Sequence, residues 1–66
     1  MRIRLNGSER TAQVGWTVGD LLRNLGVPAF GTAVEVNGVI LEGEERENRL
    51  LAEEDVVEVV RVVGGG

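Results

Sequence analysis

Thr17-Val18-Gly19-Asp20-Leu21-Leu22-Arg23-Asn24-Leu25-Gly26-Val27-Pro28 is the stretch that decides the fold, because it holds both the start and the stop signals of one short helix. Thr17 is placed as the N-cap, and Asp20 three residues on completes a capping-box pattern at the positive end of the helix dipole. Trp16, just before the cap, is positioned to pack on Leu21 as a hydrophobic staple. Leu21, Leu22 and Leu25 fall on one apolar stripe. Gly26 fits the left-handed residue of a Schellman ending, with Val27 able to touch Leu22, and Pro28 blocks continuation. Gly19 is the misfit. Inside the first turn it costs up to about 1 kcal/mol relative to Ala, and nothing in the sequence accounts for it.

Strand patterns flank this helix on both sides. Ile3 and Leu5 alternate with Arg2 and Arg4, the period of two expected of a half-buried strand. Asn6-Gly7 supplies a tight turn that tolerates positive φ, and residues 9–14 return as a second strand with Ala12 and Val14 on one face. After Phe30-Gly31, residues 32–36 form a strand on which Val34 and Val36 share a face. Asn37-Gly38 turns that strand into a short partner, residues 39–41. Residues 42–48 read as a polar, Glu-rich loop, Leu50 and Leu51 as a plug at one end of the core, and residues 56–63 as a last strand.

One helix laid on one face of such a sheet gives an α+β, two-layer domain. The alternating first strand and the hydrophobic last strand suit neighbouring central positions. A β-grasp (ubiquitin-like) sheet of four or five strands, mixed in direction and with those two parallel, satisfies the pattern. The domain is expected over residues 1–63, with residues 64–66 as a flexible glycine tail.

Composition narrows the function. With 66 residues there is room for one small core. Cys and His are absent, which removes thiolate metal sites, disulfides, the usual neutral-pH base and the commonest metal ligand. All seven basic residues are Arg, so no lysine nucleophile exists to form a Schiff base or to compete for an activated acyl group. A net charge of −4 argues against a nucleic-acid partner. No apolar run approaches the roughly 20 residues needed to cross a bilayer, and a soluble cytoplasmic domain is expected. The hydroxyls of Ser8, Thr11, Thr17 and Thr32 have only carboxylates to activate them. No catalytic residue and no metal site is expected. The acidic stretch 42–55 is expected to be solvated, or to form a docking surface for a basic partner.

Two features carry a functional signal instead. Gly64-Gly65-Gly66 follows directly on the last strand. Its alternatives are a frayed terminus or a side-chain-free approach that carries the carboxylate of Gly66 into another protein's narrow channel. Alternation along the last strand also sends Val57 and Val59 toward the core, leaving Val60 and Val62 on the opposite face beside Arg2 and Arg4. A partly apolar exposed patch marks an interface, although β-branched residues also make good strands. Phe30 stands either at the core edge or as a contact residue.

Taken in order, Leu5-Asn6-Gly7, Thr17-Val18-Gly19-Asp20-Leu21-Leu22, Val34-Glu35-Val36-Asn37-Gly38, Asp55-Val56-Val57-Glu58-Val59-Val60 and Val63-Gly64-Gly65-Gly66 resemble the ThiS family of thiamine-pathway sulfur carriers over essentially the whole chain. The resemblance implies that an E1-like adenylyltransferase (ThiF-like) uses ATP to adenylate the terminal carboxylate. A sulfur donor relay then converts it to a thiocarboxylate, and a thiazole synthase (ThiG-like) takes the sulfur. It implies Gly66 as the sulfur-accepting residue, Gly64 and Gly65 as the threaded approach, and no cofactor bound by the chain itself. Val60, Val62, Phe30 and Arg4 would form the partner interface. Related carriers for molybdopterin, tRNA thiolation and cysteine synthesis share the fold and the Gly-Gly end, and ubiquitin-like protein modifiers or a plain interaction domain remain as alternatives.

Overall fold

A computed structural model of the chain describes residues 1–62. Arg2–Leu5 forms β1, and Ser8–Thr11 returns antiparallel as β2. The turn between them holds Asn6 at φ 48° and Gly7 at φ 85°, the double positive φ that matches the twist of a two-residue hairpin. Helix α1, Val18–Leu25, is followed by β3 (Thr32–Val36), β4 (Val39–Leu41), a second helix α2 (Gly43–Asn48) and β5 (Val56–Arg61). The sheet order is β2-β1-β5-β3-β4. Strands β1 and β5 lie side by side and parallel, with Arg4 opposite Val56 and Leu5 opposite Val57, while the other pairs are antiparallel. The mixed five-stranded β-grasp sheet expected from the alternation is present.

Helix α1 is built as its end signals dictate. Thr17 Oγ1 accepts from the Asp20 amide at 3.1 Å, and Asp20 Oδ2 accepts from the Thr17 amide at 2.9 Å, so two of the orphan donors at the N-terminus are satisfied reciprocally. At the other end Gly26 sits at φ 72°. Its amide donates to the Arg23 carbonyl, and the Val27 amide donates to the Leu22 carbonyl at 3.0 Å, the paired bonds of a Schellman ending. Val18, Leu21 and Leu22 are buried against Ile3, Val34, Val36 and Val57 of the sheet. Each fully buried aliphatic side chain contributes about 1.5–3 kcal/mol. Trp16 and Leu25 pack on the margin of this core.

Four expectations need correction. Strand β2 ends at Thr11, and Val14 is exposed rather than in the core. Ala12 does pack inward, its amide bonded to the Met1 carbonyl. The chain then reverses through a Gln13–Trp16 turn, with Gly15 at φ 94°, and this turns Val14 outward. Leu51 plugs the core, but Leu50 is exposed because its backbone bridges to Thr17 at the start of α1. Strand β5 stops at Arg61, with Val62 just beyond it and Val63 outside the described residues.

The largest correction is that residues 43–48 are helical, so the sheet carries two helices and not one. Helix α2 buries no residue, and its N-cap Glu42 makes no side-chain capping bond. It is held from outside. Arg46 donates to the carbonyls of Ala29 and Thr32 and to the Thr32 hydroxyl. Arg23 of α1 pairs with Glu47 at 2.7 Å. After the helix, the Val18 amide donates to the Arg49 carbonyl at 2.8 Å, and the Leu51 amide to the Trp16 carbonyl at 2.9 Å. Gly19 now has its explanation. A Cβ there would stand 2.7 Å from the Glu47 carbonyl oxygen and would overlap the Glu47 side chain, so the glycine is what lets α2 approach α1.

Candidate functional site

Strand β5 occupies the middle of the sheet and leads toward residues 64–66. Its position is set at three points. At its entry the buried Asp55 carboxylate accepts from Arg49 Nη1 at 2.6 Å, the Ala52 amide at 2.7 Å and Asn37 Nδ2 at 2.8 Å. Burial pushes this carboxyl group up. The opposing pull of the Arg49 guanidinium, the Ala52 amide and the Asn37 amide prevails and holds it below the ordinary aspartate value. Asn37 also grips the strand directly: its Oδ1 accepts from the Val56 amide at 2.9 Å, and its own amide donates to the Val56 carbonyl at 2.8 Å.

Midway along β5 the first hairpin does the same. The Asn6 amide donates to the Val57 carbonyl at 2.9 Å, and Asn6 Oδ1 accepts from the Val59 amide at 2.8 Å. Strand β1 has ended by then, so the Asn6 side chain extends the ladder by one bond. At the exit, the Val62 amide donates to the Gly31 carbonyl at 2.8 Å. Both Asn residues sit at positive φ (48° and 51°), which Asn tolerates better than most residues. From there each aims an amide at β5. Sequence reasoning took the two Asn-Gly pairs as turns and missed this second role. The available signal was the choice of Asn in both places, since its side chain can both donate and accept.

The open face of the sheet matches its alternation. Val60 is 54% and Val62 56% exposed, and Val56 is exposed beside them. Arg4 lies opposite Val56 on that face, with Nη1 donating to the Gly7 carbonyl at 3.1 Å. Phe30 is 92% exposed and so is not part of the core edge. It directly precedes Gly31, whose carbonyl accepts from the Val62 amide. Ile40, not singled out from sequence, is 62% exposed opposite Glu35 and extends the apolar surface toward the β4 edge. Gly64, Gly65 and Gly66 lie outside the described residues.

Elsewhere the surface is less suggestive. Part of the acidity over residues 42–55 is already matched, Glu47 by Arg23 and both Glu53 and Glu54 by Arg2. Among the described residues no group of three or more His, Cys, Asp or Glu side chains is placed to hold a metal ion. Two surface grooves, one between α1 and α2 and one beneath the C-terminal end of α1, include none of Arg4, Phe30, Val60 and Val62. No helix of the described residues is long and apolar enough to cross a membrane.

What this arrangement offers chemically is a central strand held at three points beside an open, partly apolar face. The model of the ThiS family matches residues 3–66, the strands, the clamps and the terminal glycines alike. The chain belongs to the ThiS family. A sulfur carrier protein ThiS from Thermus thermophilus is 40% identical over 62 residues, covering 94% of this chain and 95% of that protein. A thiazole synthase from Magnetococcus marinus is 38% identical over 66 residues; these are all of this chain but 20% of that protein, so the chain spans about a fifth of its length. The crystal structure of the thiamine biosynthesis protein ThiS from Geobacter metallireducens superposes with a TM-score of 0.85 over all of both chains at 33% identity. The family places this chain among the sulfur carriers of thiamine biosynthesis.

Proposed function

We propose that the carrier's working atom is the carboxyl carbon of Gly66. A carboxylate is a poor electrophile. In this scheme an E1-like activating enzyme binds the chain and ATP, a Gly66 carboxylate oxygen attacks the α-phosphorus, and pyrophosphate leaves. The resulting acyl adenylate is open to attack by a sulfur nucleophile from a donor relay, and AMP departs with its oxygen. The product is a thiocarboxylate that thiazole synthase consumes. The chain is then a co-substrate and not an enzyme, working in the cytoplasm and binding no cofactor of its own, while the ATP belongs to its partner.

Several observations support this. The triple-anchored β5 gives residues 64–66 a fixed origin, and this carries the proposal. Gly64 and Gly65 lack the Cβ atoms that would widen a chain threaded into a channel. Val60 and Val62 are exposed toward the end of β5, Phe30 is exposed just before Gly31, and Arg4 lies farther back on the open face opposite Val56; together they would form the docking contacts. A thiazole synthase that contains a stretch similar to this chain favours such an enzyme as the sulfur's acceptor.

Incubation with an activating enzyme, ATP and a sulfur source should raise the intact mass by one oxygen-to-sulfur exchange, located at Gly66 by fragmentation. A chain lacking Gly65 and Gly66 should show none. An unchanged mass in the presence of enzymes active on another member of the ThiS family would sink the proposal.

A further inference from the structure

On the open face of the sheet, Glu35 of β3 and Glu58 of β5 stand directly opposite one another. Two carboxylates so paired have Cβ atoms about 4.5–5.5 Å apart and repel. Both are half-buried. Among the described residues neither carboxylate takes part in an ion pair or accepts a hydrogen bond. Arg2 is engaged with Glu9, Glu53 and Glu54, and Arg4 directs Nη1 to the Gly7 carbonyl. Their neighbours on this face are mostly apolar, with Ala33 opposite Val60 in the next row and Ile40 opposite Glu35 on the far side, while Arg4 stands one row back opposite Val56. Two unneutralised charges inside an apolar surface weaken the free domain, and repulsion of this kind is relieved when a cation is placed between them.

We infer that this face docks against a protein surface presenting an arginine ringed by apolar side chains, with the guanidinium bridging Glu35 and Glu58. A planar fork with five donors can bond two carboxylates at this spacing, which a lysine ammonium does less well. A metal ion is a poorer occupant, because two carboxylates fall short of the ligand set that calcium or magnesium takes from a protein. The face is continuous with Val60 and Val62 and so rests on the proposed docking to the activating enzyme, to which the inference adds the chemistry of the contact.

Glu35→Gln, Glu58→Gln and the double variant keep shape and remove charge. In ATP-dependent adenylation by the activating enzyme, each single variant should raise the KM for the carrier about tenfold with kcat little changed. The same variants should melt at or above the wild-type temperature, because they relieve repulsion. That melting curve also shows that they are folded. Unaltered KM values in both single variants, with wild type adenylated normally, overturn this inference and leave the proposed function standing. A wild-type chain that is not adenylated at all overturns both. Sedimentation of wild type as a dimer that Glu58→Gln dissociates would assign the face to a second copy and overturn the inference as well.

Discussion

Helix α1 carries side-chain bonds at its N-terminus, a left-handed glycine at its C-terminus and four buried residues; helix α2 has no side-chain cap and buries none. The two nevertheless pack on each other at Gly19 and Glu47. The difference separates two ways of holding a short helix. An isolated helix of eight or six residues is unstable in water, because nucleation outweighs the few bonds gained. For α1 the deficit is met by its own apolar stripe and caps. For α2 it is met by groups elsewhere in the chain: Arg23, the backbone around Trp16 to Val18, and the carbonyls at 29 and 32 that accept from Arg46. One helix is written locally, and the other exists because the rest of the fold is in place.

The largest effect that tests this contrast is in the core. Leu21 is fully buried, and Leu21→Ala should cost about 3 kcal/mol, a transfer loss plus a cavity, out of the few kcal/mol that a domain this small possesses. Urea unfolding followed by circular dichroism should show the midpoint collapse. Glu44→Ala on exposed α2 should move it by no more than about 0.5 kcal/mol. Comparable losses at the two positions would mean that α2 supports the fold as strongly as α1, and the contrast would be gone.

The same division explains what could be seen from sequence. Capping, alternation and Asn-Gly turns act over a few residues, so α1, the hairpins and the parallel β1–β5 pair were all legible. So was the exposure of Val60 and Val62, since a strand with one covered face fixes the direction of every second side chain. Val14 was misplaced because alternation was carried one step past the turn that ends β2. Helix α2 was invisible because its Glu-rich residues show no apolar period, and its stabilising partners, Ala29, Thr32, Arg23 and the backbone at Trp16 and Val18, lie well back along the chain. The Asn6 clamp on Val59 spans 53 residues, and the facing of Glu35 with Glu58 depends on the register of two distant strands. Neither leaves a local trace.

Gly19 joins the two helices, so replacing it sets local against tertiary preference. Ala favours the helix over Gly by about 1 kcal/mol. Its Cβ, however, would meet the backbone carbonyl of Glu47, and overpacking of this kind costs about 1–3 kcal/mol. Gly19→Ala should therefore destabilise the chain by about 1 kcal/mol. It should also speed hydrogen exchange at the Arg49 amide, which bonds to the Glu45 carbonyl at the end of α2, more than at the Val27 amide that closes α1. A stabilised variant would show that α2 moves aside freely.

The smallest test sharpens the local side. The Thr17 amide is the chief cause holding the Asp20 carboxyl below its ordinary value, with Arg23 next. A carboxyl group whose folded value is depressed adds stability above its unfolded value, about 3.9, and loses it as pH falls through the lower folded value. Asp20→Asn keeps an acceptor for the Thr17 amide but no charge, so wild type should melt above the variant at neutral pH. That gap should begin to narrow as pH falls below the unfolded value, about 3.9, and close once pH has passed the lower folded value, where Asp20 is protonated in both states. Asp55, also held below its ordinary value, titrates in the same range but is shared by both proteins and drops out of the difference. A gap that persists unchanged into strong acid would mean that the capping box of α1 acts through shape alone, with no contribution from the charge.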